Sequence, residues 1–271
     1  MIKQIIRKIL YYSISDYNII SFPKSGRTWI VCFLHEYNGL SKNKLNNKHN
    51  SPKYFKSNKL LTLYNKNKKT SIFVDHSFED LDINNSWMKD LLIKLSIKNK
   101  TNFFVLRDPR DTIISFYFHK KYASMMDSKQ NFLKKGTSLS EFIFSPERGI
   151  IYLIDFLNYF SDHLFVKKSY EILLYENFID DPKNNFAKIL KSLNLPISED
   201  NLQYLVEETS FENLQKKAQG TDAQIKKFRK GKKQNFHQYL DYEEIKKINL
   251  IINQKLDNKY LNYFKKNKIF F

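Results

Sequence analysis

Cysteine is almost missing. Cys32 stands alone among 271 residues, which excludes an internal disulfide and a structural zinc site of the usual thiolate kind. Long apolar runs are missing too: the richest stretches, Ile150 to Phe160 and Tyr170 to Tyr175, are short or interrupted by Asp155, Asn158 and Glu171. No membrane-spanning helix is expected. The opening residues MIKQIIRKILYYSIS carry Lys3, Arg7 and Lys8 inside their apolar pattern and show no small-residue cleavage site. That is unlike a secretory signal, and a cytoplasmic location is the expectation. No internal repeat is visible. Arginine is scarce as well, with six residues (Arg7, Arg27, Arg107, Arg110, Arg148 and Arg229) against forty lysines.

That imbalance decides how the charge is read. A net charge of +18 would ordinarily point to a polyanion partner. Forty lysines and 27 asparagines spread over the whole chain look instead like a compositional background, so a nucleic-acid-binding role is not expected. Arginine, with its forked planar guanidinium, carries more information about phosphate recognition. With 42% hydrophobic and 15% aromatic residues the chain buries a full core, and one domain over residues 1–271 is expected.

Residues 1–16 place Ile2, Ile5, Ile6, Ile9 and Leu10 at helical spacing with basic residues between them. Such a basic amphipathic helix packs on the domain or touches a membrane surface. Four short apolar runs follow: Ile19 to Phe22, Ile72 to Val74, Phe103 to Leu106 and Ile172 to Tyr175. Separated by helix-length segments, they read as buried strands of a parallel sheet, and the fold class is α/β with helices flanking a central sheet. Leu40 to Lys69 and Ser124 to Lys135, dense in Lys and Asn, read as irregular excursions, the first with a short helix. Asp181 and Pro182 open a helix to about Asn194, and Ser198 to Glu208 supports another. Lys216 to Phe236 reads as a basic loop, within a segment 216–240 placed to close over a ligand. A last helix runs from Asp241 to about Phe264.

The segment IISFPKSGRTWIVCFL joins a strand, a tight loop with Gly26 and a helix beginning near Arg27. Such a loop aims backbone N–H groups and a positive helix end at an anion, and Lys24 adds a mobile charge. An ordinary strand-to-helix turn is the competing reading. The nucleotide-hydrolase order G-x-x-x-x-G-K-[ST] is absent, because the lysine precedes the glycine. In FFVLRDPRDTIISFYFHKKY a strand ends at Arg107, Asp108 can cap, and Pro109 fits a first helical turn. Ser115 follows Arg107 by two helical turns, so the pair can bracket one phosphate, although either is equally at home in packing. His76 follows a strand directly, at the edge where ligands bind in open α/β sheets. In KKFRKGKKQNF, Arg229, Lys230 and Gly231 are placed to fold over an anion or to form a solvated charge run.

Taken together these segments resemble the sulfotransferases that use 3'-phosphoadenosine 5'-phosphosulfate (PAPS). Pro23-Lys24-Ser25-Gly26-Arg27-Thr28-Trp29 is similar to that family's 5'-phosphosulfate loop PKSGTTW. Arg107 with Ser115 is similar to its 3'-phosphate motif, and Arg229-Lys230-Gly231 to its late RKG motif. His76 stands where the family's catalytic histidine follows a strand, and Tyr175-Glu176 resembles the strand end near the adenine. The ordered motifs cover roughly residues 17 to 240. The resemblance implies a parallel sheet flanked by helices in a P-loop NTPase-like arrangement, PAPS as cofactor with adenosine 3',5'-bisphosphate (PAP) as product, and no metal. It also implies a hydroxyl-bearing acceptor such as a glycan, a glycolipid or a small alcohol or phenol, bound by segments 40 to 70 and 117 to 150.

In-line sulfuryl transfer needs positioning and charge stabilisation more than covalent chemistry. Lys24 is assigned to the leaving 5'-phosphate, with Ser25, Gly26, Arg27 and Thr28 as loop contacts. Trp29 is a stacking face for adenine, or core. His76 is assigned as general base. Several positions depart from the family. Arg27 replaces a Thr, Val74 replaces a Lys two residues before the histidine, and Gln234-Asn235-Phe236 replaces Gly-Asp-Trp. The family's dimerisation signature is not recognisable, so the oligomeric state stays open. A small-molecule kinase with Lys24 on ATP phosphates and Asp75 on Mg²⁺ is the alternative enzyme.

Overall fold

Strands form where branched and aromatic residues cluster, and among the described residues they build one five-stranded sheet in the order Lys59–Asn65, Lys68–Asp75, Tyr17–Ser21, Thr101–Leu106, Glu171–Leu174. The computed structural model describes residues 2–41, 59–65, 68–75, 86–97, 100–126, 133–134, 136–217 and 231–269. In chain order its elements are α1 (Ile2–Ile14), β1 (Tyr17–Ser21), α2 (Arg27–Ser41), β2 (Lys59–Asn65), β3 (Lys68–Asp75), α3 (Ser86–Ile97) and β4 (Thr101–Leu106). Next come α4 (Pro109–Met126), α5 (Leu139–Ile143), α6 (Ile150–Ser161), β5 (Glu171–Leu174), α7 (Tyr175–Asp180) and α8 (Pro182–Ser192). The chain closes with α9 (Glu199–Glu208), α10 (Phe211–Lys217), α11 (Tyr242–Lys255) and α12 (Asn258–Lys266). Two compact units result: Met1–Leu106 with Ser169–Ala218, and Arg107–Lys168 with Gln219–Phe271.

The first unit holds the sheet. β1, β3, β4 and β5 run parallel, and all five residues of β1 are buried, as expected of a strand covered on both faces. Ile19, Val74, Phe103, Val105 and Leu173 meet Phe33 and Leu34 of α2 and Phe186, Ile189 and Leu190 of α8 in one core. The rings of Phe33 and Phe186 stack 3.9 Å apart. At the amino ends of the central strands, buried Asn18 donates its amide to Asn102 at 2.8 Å, and Ser15 donates to Asn18 at 2.9 Å. Paired in this way, the two amides fix the β1–β4 register in which they lie side by side.

The sheet is parallel as anticipated except at one edge. β2 pairs antiparallel with β3 inside the stretch read as irregular. In Lys59–Asn65, Leu61 and Leu63 are buried while Tyr64 is exposed, so the period of two is present but diluted by lysine and asparagine. β3 begins four residues earlier than the apolar run, because its first half only has to pair with β2. Tyr175 opens α7 instead of ending β5. Within the segment 216–240, α10 ends at Lys217 and a short 3-10 turn spans Asn235–Gln238. No described helix is long and apolar enough to cross a membrane.

In the second unit α4 packs against α5 and α6, and α6 against α11. Asp108 caps α4, accepting the Arg110 N–H at 2.8 Å, and its carboxylate also takes the Arg110 guanidinium at 2.8 and 3.0 Å. The same guanidinium donates to Ile269 O at 2.8 Å and lies 4.3 Å over the Phe236 ring. The single last helix anticipated from Asp241 to about Phe264 is two. Asp241 caps α11 with a reciprocal bond to Glu244, and Asp257 starts a second cap by accepting the Lys259 N–H. A capping aspartate ends the first helix where neither Gly nor Pro marks a break.

Candidate functional site

All four parallel strands end at one edge, and each hands over there to a residue singled out from the sequence. β1 ends at Ser21 beside Val105 of β4, Ile20 lies beside Asp75 at the end of β3, and Leu106 lies beside Leu174 at the end of β5. The next residues along the chain open the Phe22–Arg27 loop or are His76, Arg107 and Tyr175. The carboxyl edge of such a sheet is where α/β proteins bind ligands. His76, Arg229 and Lys230 lie outside the described residues, as do 42–58 and 66–67 of the excursion 40–69, and 127–132 and 135 of the excursion 124–135.

The loop of the first unit is built on two left-handed residues, Lys24 at φ 73° and Gly26 at φ 101°. Alternating hands turn successive N–H groups toward one side, the geometry of an anion-binding nest. The loop is closed by Ser25 N–H donating to Phe22 O at 3.3 Å and Trp29 N–H donating to Gly26 O at 3.0 Å. α2 starts at Arg27 as its sequence suggested, so the first-turn N–H groups and the positive end of the helix face the loop. Ser25 and Arg27 are buried; Lys24, Thr28 and Trp29 are half-buried.

Tyr175 closes this loop from the side: its ring, 8% exposed, occupies the space into which a Cβ at position 26 would project. Trp29 packs edge-on to Tyr175, Phe178 and Phe186, and its indole N–H donates to Thr209 O at 2.8 Å. The indole is thus both anchored by its polar end and half-open to the outside.

Sequence reasoning passed over Asp75, Lys8 and Tyr12 as a group. Asp75 is fully buried, pairs with Lys8 Nζ at 3.4 Å and accepts the Tyr12 hydroxyl at 3.3 Å. Burial, reinforced by the Asp75 charge, pushes the Tyr12 hydroxyl well above its ordinary range, so it remains a donor. The only sequence signal was an acidic residue inside an otherwise apolar strand end.

In the second unit Arg107 donates from Nη2 to Lys232 O at 3.4 Å and pairs with Asp111 at 3.7 Å. Asp111, one turn into α4, accepts the Phe236 N–H at 2.9 Å. Burial raises its carboxyl above the usual aspartate range, while Arg107 and the Phe236 N–H act to lower it. These contacts bind the strand-end arginine to the chain that follows Arg229-Lys230-Gly231, and Gly231 adopts φ 59°. Ser115 is half-buried on α4.

Residues 15–259 match the family model described as "Sulfotransferase domain". Among solved structures, a mouse sulfotransferase complexed with PAP superposes with a TM-score of 0.62 at 15% identity, over 93% of this chain and 90% of that one. A retinol dehydratase in complex with androsterone and the inactive cofactor PAP gives 0.59 at 16% identity, over 89% and 80%. Retinol dehydratase in a complex with retinol and PAP gives 0.53 at 15%, over 93% and 86%. At such identities the likeness is one of fold.

Proposed function

Since the chain belongs to the sulfotransferase family, we propose that it moves a sulfuryl group from PAPS to an acceptor hydroxyl. PAPS supplies an activated sulfuryl group on a phosphate leaving group. The residues of this chain fit such a donor: a left-handed loop that has no room for a Cβ at Gly26, a lysine within it, and Arg107 directly after β4.

Lys24 meets the charge that develops on the leaving 5'-phosphate, and Ser25, Gly26, Arg27 and Thr28 hold the oxygens of the phosphosulfate. Tyr175 and Trp29 flank the adenine. Arg107, Ser115, Arg229, Lys230 and Gly231 take the 3'-phosphate. His76 accepts the proton of the acceptor hydroxyl as the new S–O bond forms and the bridging S–O bond breaks, its electron pair going to the phosphate. An imidazole with an ordinary pKa of roughly 6.5 suits that task at neutral pH. The acceptor is assigned to a glycan, a glycolipid or a small alcohol or phenol.

The observation that supports this reading most is the bond from Arg107 to Lys232 O. It joins two basic segments 125 residues apart, an arrangement that a second phosphate on the donor calls for and a 5'-triphosphate does not. The kinase reading is weakened because the carboxylate it would place on Mg²⁺, Asp75, is taken up by Lys8 and Tyr12.

Titration with PAP, ATP and single-stranded DNA tests the proposal. Tight binding of PAP, weaker binding of ATP and none of DNA, with sulfuryl transfer from labelled PAPS persisting in EDTA, is the expected outcome. Preference for ATP together with a strict Mg²⁺ requirement would establish the kinase instead.

A further inference from the structure

Among its described side chains, helix α1 turns the face with Lys8 and Tyr12 toward the rest of the first unit. Lys8 and Tyr12 are 5% and 1% exposed and point to Asp75, while the Tyr12 ring meets Phe73 edge-on at 4.8 Å. Fixing that face inward turns the opposite one out. Ile6, Leu10 and Ile14, spaced four residues apart, are 60%, 52% and 51% exposed. A helix rises about 1.5 Å per residue, so these three form a stripe about 12 Å long. Isolated exposed aliphatic residues are ordinary on protein surfaces; three in register along one helix are not.

The charge carried by α1 itself has one sign. α1 contains no Asp or Glu, and exposed Arg7 lies next to the stripe between Ile6 and Leu10. α3, which packs against α1, adds exposed Leu91 and Lys94, with Asp90 as its nearby acid. An apolar ridge with exposed Arg7 at its side and no acid on its own helix matches the layered chemistry of an anionic bilayer, with acyl chains beneath phosphate headgroups. A two-fold pairing with a second copy would instead press two helices without acidic residues against each other.

We propose that the outward face of α1 docks on an anionic lipid bilayer, with Ile6, Leu10 and Ile14 entering the interface and Arg7 meeting the headgroups. This surface is independent of the donor chemistry: it belongs to the face of α1 turned away from Asp75 and uses no residue assigned to PAPS.

The test is co-sedimentation of the full chain with vesicles of phosphatidylcholine alone or mixed with phosphatidylserine, at low and high salt. The expected result is pelleting with the mixed vesicles only, weakened by salt. Leu10→Glu and Ile6→Glu/Leu10→Glu should lower the vesicle affinity by about tenfold or more, and Arg7→Glu should lower it less. Because these side chains are exposed, the melting temperature and PAP affinity of each variant should stay at wild-type values. Wild-type protein that ignores phosphatidylserine, or variants that pellet as well as wild type, would overturn the proposal. So would a wild-type dimer that Leu10→Glu dissociates, because the stripe would then be covered by a second copy.

Discussion

The ring of Tyr175 lies where the side chain of residue 26 would have to go: a Cβ on Gly26 would sit 2.3 Å from Tyr175 Cδ2 and 2.9 Å from Cε2. A left-handed loop residue and a residue that opens a helix 149 positions later have thus been fitted to each other as backbone against ring. Gly26→Ala faces this clash on top of about 1–3 kcal/mol of backbone strain at φ 101°. Its melting temperature should fall and its PAP affinity should drop at least about tenfold, as read by calorimetry. Adding Tyr175→Ala should recover part of the stability but not the affinity, since the strain in the loop remains. Wild-type PAP affinity in Gly26→Ala would remove the loop from the donor site.

The 3'-phosphate separates PAP from adenosine 5'-monophosphate. Charge-assisted contacts to a phosphate contribute on the order of 1.5–3 kcal/mol. Arg107→Ala and Arg229→Ala should each weaken PAP by about tenfold to a hundredfold while barely changing affinity for the monophosphate. Equal losses for both nucleotides, accompanied by a lowered melting temperature, would make Arg107 a packing residue.

Turnover should separate the two histidines near the motifs. His76→Ala should lower it by roughly 10²- to 10⁴-fold with PAP affinity almost intact, the signature of a lost general base. His119, half-buried on α4, is the comparator. Near wild-type turnover in His76→Ala with loss in His119→Ala would reassign the base. Lys24→Ala should depress rate and donor binding together.

Asp111 makes a pH-dependent contribution whose sign can be worked out. Its raised carboxyl holds a proton more tightly in the folded chain than in the unfolded one. The associated stability is fully present below the ordinary aspartate range and is lost as pH rises through the raised value. Asp111→Asn removes that loss and still accepts the Phe236 N–H through its amide oxygen. It should melt above wild type at neutral pH, with the gap closing as the solution is acidified. Asp111→Ala leaves that N–H buried without its acceptor and should lose about 1–3 kcal/mol. Thermal melts of both variants across the acid range check the pattern.

Lys8 and Asp75 are buried as a pair, with side chains 7% and 0% exposed. Removing one partner strands the other, at a cost of about 3–5 kcal/mol, whereas an apolar pair of similar volume is often neutral or better. Asp75→Ala should therefore shift a urea midpoint much further than Lys8→Met/Asp75→Leu. A double variant as unstable as the single one would show that α1 needs the charge itself.

The loop between β1 and α2 was legible because its signal is local. Gly26 is needed where the chain turns left-handed, Lys24 precedes it, and a strand and a helix flank it within 16 residues. The parallel strands were legible from buried apolar runs such as Phe103 to Leu106. What escaped is carried by partners far apart in sequence. Asn18 looks unsuited to a buried strand until Asn102 lies beside it, and Asp111 looks like a surface residue of a helix start until Phe236 arrives. Arg110, given no role by its sequence context, ties Asp108 to Ile269 O. β2 was hidden by the lysine and asparagine at its two ends, Lys59 and Asn65, which an edge strand tolerates because one side meets water.

The strand order also sets a timetable. β1 lies between β3 and β4, with Tyr17 beside both Ile72 and Thr101. A chain that emerges from the ribosome N-terminus first presents Ile19 and Ile20 with both hydrogen-bonding edges open until those later strands follow. β5 closes the sheet only after the whole 107–168 segment has been made. Parallel pairing between such distant segments is slow to form. The loop on β1 is therefore the first part of the site to be synthesised, and it gains its lasting shape only when strands encoded far downstream have arrived.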